Sequence, residues 1–269
     1  MVLPLPSTND IYILLRHLYL AIIGNIYIFM LILMGILIAF ILWNFPWILK
    51  YYTVECCKEK ILGEKILVFS DVHLKPSQSL PRKLTDFIIT NNIKYIVIAG
   101  DLLDCKHKLN NKELVDVLRK VFLDFKDTDI VKIFYITSTT SHDPRIDGIK
   151  DLDLGFTKVI IIPGVLILET TAGTIYISHC DYACRHGTIA RILNTILSKF
   201  GKKLYMEQLA RKAFRVEDNS WVICGHTHMP GIDYTKKIVN PGGWKTKLWV
   251  KKADTVIIID QDLKLIKIK

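Results

Sequence analysis

The sequence predicts an α/β domain of layered sheets and helices, preceded by one apolar helix long enough to cross a membrane. Three observations predict it. Short β-branched apolar runs alternate with amphipathic stretches over most of the chain. An uncharged apolar run stands near the N-terminus. Acids and histidines gather directly after the apolar runs, and in open α/β sheets ligand sites form outside the carboxyl ends of the strands.

The apolar run accounts for the composition. Of 269 residues, 51% are hydrophobic and the mean hydropathy is +0.29, high for a soluble enzyme. The excess lies from Leu18 to Leu49, 32 residues without a charge. A helix of that length reaches roughly 48 Å against a hydrocarbon core of about 30 Å. One tilted span therefore fits better than a hairpin bent at Gly24-Asn25 or Gly35, whose halves would fall short of the usual span. A signal peptide has a shorter apolar core ending in small residues, whereas this run ends in Trp43, Phe45, Pro46, Trp47, Tyr51 and Tyr52, an interfacial belt.

The expected organisation is a short segment 1–17, a transmembrane helix 18–49, a juxtamembrane linker 50–64 and a domain 65–269. Arg16 and His17 precede the span, while Lys50, Lys58, Lys60 and Lys65 follow it. Positive charge on that side predicts a single-pass protein whose domain is cytoplasmic. Residues 1–49 hold one acid and one base, so the remainder carries the whole +10 and is drawn to anionic headgroups or phosphorylated substrates. A solvated surface is the plainer reading for most individual lysines. The six cysteines show no paired zinc spacing and suit a reducing compartment. Adjacent Cys56 and Cys57 are either lipidated beside the membrane or, more plainly, buried or idle thiols.

Strands are expected at 65–70, 94–100, 131–138, 158–162, 165–169, 174–180, 221–225, 255–260 and 263–269. Helices are expected near 80–92, 110–126 and 187–215. No internal repeat or low-complexity tract interrupts them.

The strand ends carry the chemistry. The first runs into Asp71-Val72-His73, the second into Asp101 and Asp104, and the third towards Ser141-His142-Asp143. The sixth ends at His179, and the seventh opens Gly225-His226-Thr227-His228. Carboxylates and imidazoles together suit Mn, Fe or Zn better than an oxygen-only Mg or Ca site. In D-x-H and H-x-H the outer side chains point the same way if the backbone is extended. Taken alone, a D-x-H is usually a solvated turn, and Asp104 reads as a helix N-cap or as an acceptor behind the ligands. It is the order of the whole set that carries the reading.

That set, DVH, GDLLD, SHD, SHCD and GHTH, resembles the calcineurin-like metallophosphoesterase superfamily over roughly residues 65–245. The resemblance implies a β-sandwich flanked by helices and two divalent metal ions, with Mn favoured. It implies that Asp71, His73 and His228 hold one ion, that Asp101 bridges, and that His179 and His226 hold the other. His142 matches the histidine that contacts the phosphate and assists the leaving group. One position departs: the family's G-N-H-D stands here as Thr140-Ser141-His142-Asp143, so a hydroxyl replaces the asparagine ligand of the second ion.

Within the superfamily, His179-Cys180-Asp181-Tyr182-Ala183-Cys184 and Asn240-Pro241-Gly242-Gly243-Trp244 are similar to motifs of the UDP-2,3-diacylglucosamine diphosphatase group. That likeness implies a nucleotide-diphosphate substrate, lipid-linked and met at a membrane. Residues 185–215 interleave basic and apolar side chains and read either as an amphipathic helical insertion over the site or as an ordinary helical layer. The function expected is hydrolysis of a phosphodiester or diphosphate bond by a membrane-anchored two-metal phosphoesterase. The alternative is a membrane-tethered binding or scaffold protein with a weakened metal site. Nucleic acid is disfavoured as a partner by the anchor and by the lack of an aromatic-rich basic groove.

Overall fold

Residues Thr8–Asn44 form a single helix, α1, of 37 residues. The computed structural model describes residues 8–45, 48, 55–105, 107–138, 142–246 and 251–269. They divide into two units, the first ending at Asn44 and the second beginning at Phe45. The first unit is α1. It begins ten residues before the expected span and runs without a break through Gly24-Asn25 and Gly35, so neither is the bend of a hairpin. Its segment Leu15–Asn44 is long and apolar enough to cross a membrane, a test that a signal sequence also passes. Residues 46, 47 and 49 of the expected span lie outside the described residues.

The second unit begins with β1 (Glu55–Lys60), β2 (Ile66–Phe69), α2 (Arg82–Thr90), β3 (Tyr95–Ala99), α3 (Asn111–Val121), β4 (Lys132–Ile136) and β5 (Lys150–Asp153). There follow β6 (Lys158–Ile162), β7 (Gly164–Thr170), β8 (Gly173–Ser178), α4 (Gly187–Ser198) and α5 (Tyr205–Ala213). The last are β9 (Trp221–Cys224), β10 (Gly231–Asp233), β11 (Ile238–Asn240), β12 (Thr255–Ile259) and β13 (Leu263–Lys267). One sheet has the order β1-β7-β8-β9-β11-β10 and the other β13-β12-β2-β3-β4-β6-β5.

Alternation along the strands divides the core. Ile66 and Val68 of β2, Val97 and Ala99 of β3 and Phe134 and Ile136 of β4 meet Leu166, Leu168, Ile175, Ile177 and Ile223 of the six-stranded sheet. The alternate residues Leu67, Phe69, Ile96, Ile98, Ile133 and Tyr135 pack under Leu84 and Ile88 of α2 and Leu114 and Leu118 of α3. Burial on both faces explains why these strands read as continuous apolar runs, and β2, β3, β4 and β6 are indeed mutually parallel. The result is a two-sheet sandwich flanked by helices.

Two segments differ from their sequence reading. β1, within the stretch read as linker, pairs in parallel with β7 from Glu55↔Gly164 to Lys60↔Glu169. Its alternating lysines and glutamates suit an exposed edge, where charge deters further pairing. Helix 187–215 is two helices, because Gly201 at φ +76° and Leu204 at φ +49° turn the backbone left-handed between α4 and α5. At α3 the start follows from Asn110, whose Oδ1 accepts from the Glu113 N–H while the Glu113 carboxylate accepts from the Asn110 N–H. Asp104 is therefore not the cap of that helix.

Candidate metal centre

Every expected ligand lies just past a strand end. Asp71 and His73 follow β2, Asp101 follows β3, His142 follows β4, His179 follows β8, and His226 and His228 follow β9. Asp71, His73, Asp101, His179 and His226 are buried. Asp71, His73 and His228 bring ligand atoms within 4.8 Å of one another, as do Asp71, Asp101 and His179. Between them, His228 Nε2 stands 3.3 Å from Asp71 Oδ1, and Asp101 faces His73 Nε2 and His179 Nε2 at 3.5 Å each. His226 joins through its Nδ1, 3.1 Å from His179 Nε2.

The backbone that presents these groups is not extended. Asp71, His73, Asp101, His226 and His228 all have positive φ, between 51° and 70°. Side chains other than glycine rarely adopt this region, and such strain collects at functional sites. Each loop thus leaves its strand by a left-handed turn that aims the side chain back over the sheet edge, in place of the extended pairing expected from D-x-H. Glycine makes room beside the rings: a Cβ on Gly100 would lie 2.3 Å from His179 Nδ1, and one on Gly243 2.3 Å from His228 Nδ1.

Hydrogen bonds fix how the rings face. His179 Nδ1 lies 3.0 Å from the Ala99 carbonyl and His226 Nε2 lies 2.6 Å from the Cys184 carbonyl, so in each ring that nitrogen is the donor. His73 Nδ1 lies 3.0 Å from Asp104 Oδ1. In all three the other nitrogen, with its lone pair, faces the centre, as in metal-binding imidazoles. Asp104 also meets His142 Nδ1 at 2.8 Å and Lys245 Nζ at 2.5 Å. It accepts from both rings, and with His73 and His142 it forms a further group whose ligand atoms lie within 4.8 Å of one another.

The charges confirm a surplus of negative groups. Burial, with Asp143 and Asp71 nearby, pushes Asp101 up to about 8. Burial opposes the protonation of His179, yet Asp101, Asp181 and Asp71 raise it to about 9. Burial and the adjacent His179 hold His226 down at about 4. Asp71 is lowered despite its burial by His228, His179 and His73. Such a cluster takes up protons or cations. Asp101 Oδ1 is buried and accepts no hydrogen bond among the described residues, as suits an oxygen that faces a cation. Mixed carboxylate and imidazole donors fit divalent transition metals.

Several supporting residues were given no role in the sequence reading. Asp143 is buried and accepts from the backbone N–H groups of Asp101 at 2.8 Å, Leu103 at 3.1 Å and Ser138 at 2.8 Å, and from the Tyr135 hydroxyl. It ties the loop after β3 to the loop after β4. Buried Glu207 of α5 accepts from Thr227 at 2.7 Å, Asn240 at 2.9 Å and Asn194 of α4 at 2.9 Å. Arg191 of α4 donates to the His228 carbonyl at 2.9 Å. The helical pair thereby holds the GHTH loop. Cys180 and Cys224 form a disulfide, against the reducing setting that the cysteine pattern suggested. Ser141, expected near the second ion, lies outside the described residues.

A two-sheet α/β domain with buried aspartates and histidines at the strand ends belongs to the class of metal-dependent phosphoester hydrolases. More narrowly, the chain belongs to the calcineurin-like phosphoesterase superfamily, whose domain profile matches residues 65–264. No curated protein shows significant similarity. Solved structures similar to it include a novel archaeal phosphodiesterase (16% identity, 75% of this chain and 98% of that one, TM-score 0.36). Others are YfcE, a phosphoesterase from E. coli (14%, 76% and 100%, 0.33), and Vacuolar Protein Sorting 29 from Cryptosporidium parvum (12%, 76% and 96%, 0.35). Scores this low add nothing to the assignment, which rests on the domain profile. The UDP-2,3-diacylglucosamine diphosphatase likeness has no counterpart among these matches.

Proposed function

We propose that this chain is a membrane-anchored phosphoesterase that hydrolyses a phosphodiester or diphosphate bond with two divalent ions, Mn favoured. The observation that carries the proposal is the convergence of Asp71, Asp101, His73, His179 and His228 with their inner atoms facing one centre. Asp71, His73 and His228 would hold one ion, Asp101 would be shared, and His179 and His226 would hold the other. Divalent ions bound there supply the positive charge that activates water and neutralises the phosphoryl oxygens.

The chain's own residues do the rest. Asp104 orients His142 through Nδ1, leaving Nε2 to hold a proton for the departing oxygen. His142 is about one-third exposed, so a substrate can reach it. The basic second unit attracts an anionic substrate, and the apolar α1 would keep the enzyme at a membrane, which favours a nucleotide-linked lipid or lipid precursor. The lysines after the span favour a domain that faces the cytoplasm, and the Cys180–Cys224 bond stands against it.

Turnover of bis(p-nitrophenyl) phosphate by the full chain in detergent should require added Mn, and Asp101→Ala should lose both activity and bound metal. Full activity in that variant would refute the shared ligand. A panel of nucleotide-diphosphate lipids and their soluble headgroups would define the substrate. Protease added to sealed, right-side-out vesicles should spare the domain, and digestion there would reverse the orientation.

A further inference from the structure

Between Asp181 and Glu207 the sequence contains no acidic residue. This stretch forms α4 and the turn into α5, and its outer surface is apolar. Ile192, Ile196 and Phe200 recur at every fourth position and are 52%, 48% and 75% exposed. Lys199, Lys202 and Lys203, all exposed, stand beside them. The opposite side of the same helix is fully used: Ala190 and Asn194 are buried and Arg191 reaches the His228 carbonyl. The stripe is thus the side of α4 that packs on nothing among the described residues of its own domain.

An exposed row of large apolar side chains with lysines and without an acid in its stretch of chain matches the boundary of an anionic bilayer, where the apolar groups enter the acyl region and the ammonium groups meet phosphate. The chain's own connection points the same way. Phe45, the residue that follows α1, packs against Cys184, Ala190 and Met206, the cluster that joins α4 to α5. The second unit thus has its first residue, Phe45, against this helical pair.

We propose that the face made by Ile192, Ile196, Phe200, Lys199, Lys202 and Lys203 is a membrane-contact surface that lies in an anionic headgroup layer. The proposal rests on the reading of α1 as a membrane span. Because α4 and α5 also hold the GHTH loop through Arg191 and Glu207, the contact would set the metal centre close to the lipid surface.

The test uses the full chain, one copy per lipid nanodisc of phosphatidylglycerol and phosphatidylcholine, with a benzophenone amino acid at Phe200 or, separately, at Phe29 of α1. Phe200 is exposed and outside the metal centre, so folding and basal activity should survive. Irradiation should give lipid adducts at both positions. Exchange of Lys199, Lys202 and Lys203 for glutamate should reduce the adduct at Phe200 at least fivefold and leave that at Phe29 unchanged. A lipid adduct at Phe29 with none at Phe200 overturns the contact surface and keeps the span. No lipid adduct at Phe29 overturns the span and the proposal with it. Adducts from Phe200 only to a second copy of the chain, in discs loaded with two, assign the face to self-association and overturn the lipid contact.

Discussion

Oδ1 of Asp104 stands 2.8 Å from Nδ1 of His142 and is shared with His73, so one carboxylate orients both a candidate metal ligand and the proposed proton donor. Asp104→Asn should keep the fold, and its amide oxygen can still accept from both rings, but it removes the negative charge behind them and turns N–H donors towards Lys245. We expect kcat to fall by about 10² to 10³-fold, the usual worth of a positioned acid, with a smaller change in KM. Steady-state kinetics at saturating Mn checks this. A loss confined to KM would show that Asp104 serves substrate binding instead.

Metal binding should release protons. Without ions Asp101 is pushed up to about 8 and His179 to about 9, so at pH 7 this adjacent pair holds between one and two dissociable protons. A cation needs both deprotonated, and uptake at pH 7 should free about one to two protons per chain. The number should fall as pH rises through those values, and affinity should rise with it. Calorimetry of Mn binding in buffers of different ionisation enthalpy measures the count. Release that grows with pH would contradict the scheme.

Asp143→Ala should be among the most destabilising single changes at the site. It strands the buried N–H groups of Asp101, Leu103 and Ser138 and the Tyr135 hydroxyl at once. Unsatisfied donors of this kind cost about 1 to 3 kcal/mol each before relaxation, so a loss of at least about 3 kcal/mol is expected in denaturant melts. A loss below about 1 kcal/mol would mean that solvent replaces the carboxylate.

Much of this was legible in the sequence, for physical reasons that can be named. β2, β3, β4 and β6 are buried on both faces and must be apolar throughout, which makes them visible. β1 (ECCKEK) and β5 (KDLD) are charged edge strands, and β10 and β11 have only three residues each, so none carries such a signature. The clustering of the candidate ligands was legible because the chemistry restricts their types and the strand ends restrict their places. Asp143 and Glu207 were not, since their partners lie up to 42 residues away for Asp143 and 33 for Glu207, and only the folded chain brings them together. Neither did alternation foretell the left-handed turns, which arise from the approach of loops and not from local pattern.

Ser141 offers a test from sequence alone. The family pattern has asparagine at this position, and an amide carbonyl is a longer and better neutral ligand than a hydroxyl. Ser141→Asn should lower the Mn concentration needed for half-maximal rate, by about tenfold if it adds one ligand bond worth roughly 1.4 kcal/mol. Metal titrations of both proteins on one substrate decide it. An unchanged or higher requirement would remove this position from the ligand set.

The Cys180–Cys224 bond joins residues 44 apart and closes the chain into a ring. The ring encloses all of α4 and α5, and its two ends lie beside His179 and His226. A cut or an added loop at the exposed Gly201–Lys203 turn would leave those two stems covalently joined. Descent with modification can therefore rewrite the cover without moving the stems. Lengthening such a ring costs little, since closure entropy grows only with the logarithm of its size. The part that meets the surroundings can change quickly while the part that does the chemistry stands still.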